Sequence, residues 1–150
     1  MEANRLGPRQ RITLLMDTNM VIALATGLIA PTHIIEALES SYSIIIPRSV
    51  LRELEKLEKT APRPTVSRAA KRTLDFLSSG RIDYAVVESR VPDNVDDDIV
   101  ALALNLKAKG ARVVVATSDR GLRRRLRSHG VPTLYYRETE GLLEVDWLPP

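Results

Sequence analysis

Short apolar runs recur along the chain, and most are followed by a longer segment in which apolar positions recur at helical spacing. The short runs are rich in Ile, Val and Leu, which is typical of strands buried in a sheet. They predict strands at residues 12–17, 42–47, 81–88, 111–117 and 131–136, with 81–88 at a sheet edge. The longer segments predict helices at residues 20–25, 31–40, 47–59, 67–77, 95–109 and 119–129.

Strands that alternate with helices indicate parallel pairing through crossover connections. The predicted fold is therefore α/β, a three-layer α/β/α domain with a central parallel sheet of four to five strands. We expect this domain at residues 12–137, after a flexible lead-in at residues 1–11 and before a C-terminal tail at residues 138–150. No internal repeat or linker divides it.

Composition limits the chemistry that the chain can support. Without cysteine, disulfides, thiolate zinc sites and cysteine catalysis are excluded, and only two histidines are present. Any metal would therefore be bound by oxygen, which favours Mg²⁺ or Mn²⁺. No apolar run approaches the roughly 18 residues of a membrane span and no leader is visible, so we expect a cytoplasmic protein. The net charge of +3 permits an anionic partner.

Acidic residues follow the predicted strands at positions where ligands bind to parallel sheets. Asp17 ends the first strand, Asp119 follows the fourth, residues 96–98 are three aspartates that open a helix, and Glu53 lies in the helix after the second strand. Ligands of open α/β sheets bind outside the carboxyl ends of the strands. The sequence therefore predicts that these acids share one cleft.

Each acid also has a simpler interpretation. Asp17 and Asp119 suit the N-cap of the helix that follows, and exposed glutamates such as Glu53 are common in helices. Acids at residues 96–98 complement a helix dipole, although three adjacent carboxylates repel one another. On a helical wheel, Asp96 lies on the inward stripe, Asp98 points away from it and Asp97 lies nearly opposite.

Four carboxylates in one cleft would destabilise each other. Two charges about 4 Å apart interact by about 4 kcal/mol at an effective dielectric near 20. Divalent cations remove this repulsion, and an all-oxygen cage is what Mg²⁺ or Mn²⁺ prefers. Such ions can activate water and neutralise charge on a phosphodiester. The acids therefore indicate phosphoryl chemistry.

Four segments, MDTN, IPRSVLRELEKL, DDDIVALAL and VVVATSDRGLRRRLRSHGVPTLYY, resemble the PIN-domain nucleases over roughly residues 12–137. The resemblance is to archaeal VapC-like proteins and to the PIN endonuclease of small-subunit ribosomal RNA processing. It implies a metal-dependent endoribonuclease that cuts single-stranded RNA, acting as a toxin or in ribosomal RNA processing. It also implies RNA as a partner, a homodimer and, for a toxin, a small antitoxin protein.

The resemblance also implies roles for individual residues. It makes Asp17, Glu53, Asp96 and Asp119 the catalytic metal ligands, with Asp97 as a further metal ligand. The choice among residues 96–98 stays open. Asn19 and Thr117 are implied as supporting polar groups.

The last predicted helix carries a stripe of arginines. Arg120, Arg123, Arg124 and Arg127 span about 100° of the wheel, away from the apolar positions. The stripe is either a track for RNA phosphates or a solvated face near the helix end.

Two other classes of function fit the sequence less well. A phosphohydrolase with Asp17 as nucleophile usually has a second aspartate two residues on, where this chain has Asn19. Neither a glycine-rich dinucleotide motif nor a P-loop is present. The alternative that remains is a non-catalytic RNA-binding or ribosome-assembly factor that retains the fold.

Overall fold

The structure, a computed structural model, describes residues 10–147. Its strands are β1 (Ile12–Met16), β2 (Tyr42–Pro47), β3 (Tyr84–Val87), β4 (Arg112–Ala116), β5 (Thr133–Arg137) and β6 (Leu142–Val145). Its helices are α1 (Thr18–Ala25), α2 (Pro31–Leu38), α3 (Arg48–Thr60), α4 (Pro64–Ser78), α5 (Val95–Ala108) and α6 (Arg120–Ser128). Every predicted helix and strand is present.

The strands form one sheet in the order β3-β2-β1-β4-β5-β6. The first five are parallel, which confirms the predicted α/β fold, and β3 lies at an edge as expected. The sixth strand, β6, pairs antiparallel with β5 and was not predicted. It lies within the expected tail at residues 138–150, where a short, partly exposed edge strand has a weak apolar pattern. Residues 1–9 of the expected lead-in and residues 148–150 of the tail lie outside the described part of the chain.

Helix α4 begins three residues earlier than its apolar pattern predicted. The sequence predicted that residues 60–66 connect two helices, but Pro64 is the first residue of α4. Proline suits this position because its fixed φ is already helical and its missing N–H would have no intrahelical acceptor there.

Two apolar clusters pack on opposite faces of the sheet. Residues of β1 alternate between them, since Leu14 and Met16 join the cluster beneath α1–α4 and Leu15 joins the cluster beneath α5 and α6. The apolar segments at residues 20–29 and 34–38 lie mostly in this core, apart from the exposed Leu28 and Ile35. In the described part of the chain, no helix has both the length and the apolar character to cross a membrane.

The strand order changes direction between β1 and β4. Crossovers from β1 lead to β2 and β3 on one side, whereas β4 leads to β5 on the other. At such a switch point the connections diverge and leave a crevice at the carboxyl ends of the strands. Asp17 follows β1 and Asp119 follows β4, so both lie at this crevice.

Candidate acidic site

The crevice is a cavity of about 580 Å³. Its lining includes four of the predicted acids, Asp17, Glu53, Asp96 and Asp119, together with Asn19. These residues come from the ends of β1 and β4, from α3 and from the first turn of α5. The structure therefore brings together residues that are more than 100 positions apart in sequence, because the carboxyl ends of parallel strands meet at one edge.

Asp17 and Asp119 are each both a helix cap and part of the cleft. Asp17 Oδ1 accepts a hydrogen bond from Met20 N at 2.9 Å, and Asp119 Oδ1 accepts one from Leu122 N at 2.8 Å. The capping interpretation from the sequence therefore holds for both aspartates. Capping is compatible with a role in the cleft, because each cap uses one carboxylate oxygen and fixes the orientation of the other.

Thr117 connects the two capping aspartates. Its side chain is fully buried, its hydroxyl donates to Asp17, and it accepts a hydrogen bond from Asp119 N at 3.1 Å. One hydroxyl therefore contacts the Asp17 carboxylate and the backbone of Asp119. A further constraint comes from Gly121, where a Cβ would lie 3.3 Å from Asp119 Oδ1 and crowd that carboxylate.

Glu53 is held by Thr18. The Thr18 hydroxyl, which is buried at the start of α1, donates to Glu53 Oε1. Thr18 was not predicted to be part of the site. Its neighbours in the sequence carried the recognisable pattern, and nothing local indicates that its hydroxyl meets a residue 35 positions away.

Negative charge accumulates in the cleft. The pKa of Asp17 is raised from 3.8 to about 6, mainly because the side chain is buried. Hydrogen bonds from Thr117 and Met20 lower this pKa, and the carboxylates of Asp96 and Asp119 contribute to raising it. Desolvation also raises the pKa of Asp96, and repulsion by Asp119 and Glu53 adds to this effect while Arg125 opposes it. These carboxylates therefore lie close enough to interact electrostatically, and a cation among them would be stabilised.

The three consecutive aspartates of α5 have three different environments. Asp96 lines the cleft, as the helical wheel predicted. Asp97 is half-exposed, does not line the cleft, and forms an ion pair of 2.9 Å with Arg125 of α6. Asp98, which the helical wheel placed away from the inward stripe, is nevertheless fully buried.

Asp98 is buried because it is the acceptor for a hydrogen-bond network. It accepts hydrogen bonds from the Ser49 hydroxyl at 2.6 Å and from the backbone N–H groups of Arg90 and Val91 at 2.7 and 2.9 Å. The wheel places Asp98 away from the apolar stripe, but the loop before α5 covers that side of the helix. Asp98 thus holds a wall of the cleft in place.

A comparison with known families identifies the architecture. The sequence matches the family described as PIN-like domain over residues 14–139, which is most of the chain. The chain belongs to the PIN-like domain family. The resemblance inferred from its sequence motifs is therefore confirmed.

Several solved structures are similar to this PIN-like domain, and two of them illustrate the likeness. The structure of the PIN domain endonuclease Utp24 is 23% identical, with 91% of this chain and 92% of that chain covered and a TM-score of 0.67. A domain of a functionally unknown protein from Methanocaldococcus jannaschii DSM 2661 is 19% identical, with coverages of 83% and 91% and a TM-score of 0.58. At these identities the likeness shows the fold. No curated protein sequence matched the chain.

The arginines of α6 in this PIN-like domain are not equivalent. Arg123 forms a 3.0 Å ion pair with Asp146 and stacks on Tyr135 at 3.5 Å. Arg127 pairs with the same aspartate at 3.4 Å. Two members of the predicted stripe therefore tie α6 to the end of β6. Arg120 and Arg124 are exposed and, within residues 10–147, form no ion pair.

A divalent cation is the cofactor implied by the resemblance, and the donor set fits one. Among residues 10–147, no three acidic or histidine side chains converge as a preformed metal cluster. The chemistry is nonetheless suitable, because four carboxylates border one cavity and their repulsion contributes to the raised pKa values of Asp17 and Asp96. Hard oxygen donors of this kind suit Mg²⁺ or Mn²⁺.

Proposed function

We propose that this PIN-like domain is a metal-dependent endoribonuclease that hydrolyses phosphodiester bonds of single-stranded RNA. The observation that carries the proposal is the convergence of Asp17, Glu53, Asp96 and Asp119 on one cleft at the switch point of the sheet. Family membership and the fold shared with an endonuclease support a nuclease. The net charge of +3 supports a polyanionic substrate despite the acidic cleft.

The four acids would hold one or two Mg²⁺ or Mn²⁺ ions. When bound, such ions supply charge neutralisation at the phosphate and activation of water. The protein's own residues position the site. The caps at Asp17 and Asp119 orient two carboxylates. The Thr117 hydroxyl connects the Asp17 carboxylate to the backbone of Asp119, and the Thr18 hydroxyl holds Glu53. Asn19 is exposed at the cleft and is proposed as a polar contact for the substrate.

Mn²⁺ is expected to stabilise the protein against unfolding, since an ion that binds only the folded state adds about 2.7 kcal/mol at 100 times its Kd. The measurement is thermal melting with Mn²⁺ and with excess chelator, beside cleavage of a labelled single-stranded RNA. We expect Glu53→Gln to reduce the Mn²⁺-dependent rise in melting temperature. The matched control is Glu55→Gln, an exposed glutamate of the same helix outside the cleft, which should retain it.

Cleavage that persists in excess chelator would contradict metal dependence, and so would a melting temperature that does not change with Mn²⁺. RNA that binds but is never cut with Mn²⁺ present would instead support the non-catalytic RNA-binding or assembly factor. That alternative gives no reason for four carboxylates to border one cavity.

We propose two biological roles for this activity in the cytoplasm. A VapC-like toxin would act as a homodimer and be neutralised by a small antitoxin protein, whereas a processing nuclease would act on precursor ribosomal RNA. Growth arrest on expression alone, relieved by a small protein encoded beside it, is the expected result for a toxin. Recovery of precursor ribosomal RNA with an inactive variant, without growth arrest, is the result expected for a processing enzyme.

A further inference from the structure

Two cations of α3 lie at the acidic cleft. Arg52 and Lys56 both line the cavity, and Glu53 is next to Arg52 in the same helix. Both cations are exposed. Within residues 10–147, neither side chain forms a hydrogen bond or an ion pair. The acids of the cleft therefore do not neutralise them directly.

This arrangement is unfavourable for the helix by itself. Arg52 and Lys56 are four residues apart, so their like charges are neighbours on one face. Glu53 is within helical pairing distance of Lys56, but its carboxylate accepts from Thr18 instead. Neither a stabilising pair nor a packing role accounts for the two cations, which suggests an external anion.

The opposite side of the cleft offers fewer free cations than the sequence predicted. Arg123 and Arg127 are occupied by Asp146, and Arg125 by Asp97. Arg120, which follows Asp119 directly, and Arg124 are the exposed arginines of α6 without an ion pair in the described residues. A nucleic acid bound across the cleft would thus meet the α3 cations on one side and, on the other, the start of α6, where Arg120 follows the cleft residue Asp119.

We propose that Arg52 and Lys56 bind phosphates that flank the scissile position of a single-stranded RNA. The inference rests on the proposed function, because it takes the acidic cleft as the place of cleavage. Four residues span about 6 Å along a helix axis, so the two side chains can contact different phosphates of one strand. Cations beside the acids hold the strand at the cleft and offset the repulsion between carboxylates and phosphates.

The test compares the salt dependence of RNA binding. The parent is Asp17→Asn, which keeps the RNA intact, and the probe is a fluorescein-labelled oligouridine. We compare this parent with variants that add either Arg52→Gln and Lys56→Gln or, as a control, Lys59→Gln and Lys109→Gln. The control removes the same charge from exposed lysines that do not line the cleft.

Loss of two phosphate contacts is expected to make the slope of log K against log salt shallower by about 1.4, at about 0.7 per contact for single strands. Between about 50 and 200 mM salt, the cleft variant should therefore lose about sevenfold less affinity than its parent. The control should keep the parent's slope. In the cleaving protein, Arg52→Gln with Lys56→Gln should raise KM more than it lowers kcat, because flanking contacts are made before and during cleavage.

Equal slopes for the cleft and control variants, or no binding of oligouridine by the parent, would overturn the inference. The salt dependence of RNA binding does not depend on cleavage. The phosphate contacts and the nuclease activity are therefore tested independently. A shallower slope in a protein that never cuts RNA with Mn²⁺ would leave these contacts standing and reject the nuclease. Cleavage of RNA together with unchanged salt slopes would support the nuclease and reject the phosphate contacts of Arg52 and Lys56.

Discussion

Replacing Asp17 with asparagine is expected to abolish RNA cleavage and, at the same time, to stabilise the metal-free protein. Activity should fall by more than about 100-fold, since even groups that only support a metal ligand typically contribute 10- to 100-fold. Asparagine retains an oxygen that can accept the Met20 N–H, so the cap on α1 is preserved. The measurements are initial rates with Mn²⁺ and the free energy of unfolding in chelator.

The expected gain in stability follows from the pKa of Asp17. Burial raises that pKa to about 6, whereas the unfolded chain releases the same proton near 3.8. Because the folded state holds the proton more tightly, the stability of the metal-free protein falls as pH rises between these values and is level above them. At neutral pH the cost is up to about 3 kcal/mol, at roughly 1.4 kcal/mol per pH unit. Asparagine removes this cost and its pH dependence.

Asp83→Asn is the matched control for Asp17→Asn. Asp83 is exposed and precedes β3 at the amino ends of the strands, away from the cleft. The same loss of one charge there should leave both activity and the stability profile unchanged. An Asp17→Asn protein that cleaves RNA at the normal rate would remove this residue from the proposed site. If Asp17→Asn is less stable than the unmodified protein in the absence of metal, the Asp17 carboxylate does not destabilise the folded state.

Replacing Asp98 with alanine is expected to lower the free energy of unfolding by about 3 kcal/mol or more, because each buried donor left without an acceptor costs about 1–3 kcal/mol. Ser49 and the backbone N–H groups of Arg90 and Val91 would all lose their acceptor. The loop that forms one wall of the cleft would lose its anchor, so cleavage should fall as well. Chemical denaturation measures the first effect and initial rates the second.

Asp97 provides an internal control for Asp98 at the next position of the chain. Its ion pair with Arg125 is about half-exposed on both sides, and pairs of this kind contribute at most about 1 kcal/mol. Asp97→Ala should therefore cost less than about 1 kcal/mol. Asp98→Asn retains an oxygen for the two backbone N–H groups. Its loss in free energy of unfolding should therefore lie between those of Asp97→Ala and Asp98→Ala. A larger loss for Asp97→Ala than for Asp98→Ala would contradict the buried network.

The helices, the strands and the main residues of the cleft could be predicted from the sequence. Apolar periodicity depends only on neighbouring positions, so every predicted helix and strand is present, although boundaries such as the start of α4 were displaced. The position of Asp17 after β1 and of Asp119 after β4 could be interpreted because parallel strands bring their carboxyl ends to one edge. That rule was sufficient to place these acids with Glu53 and Asp96.

The different roles of neighbouring residues could not be predicted, because they depend on tertiary contacts. Adjacent aspartates of α5 line the cleft, pair with Arg125 or lie buried, because their partners come from α6 and from a loop rather than from the helix itself. Two arginines of α6 are occupied by Asp146 at the end of β6, a strand whose pattern was too weak to predict. Arg52 and Lys56 resemble ordinary solvated charges until the cleft next to them is seen. In each case the deciding partner is distant in sequence, and the local pattern contains no signal of it.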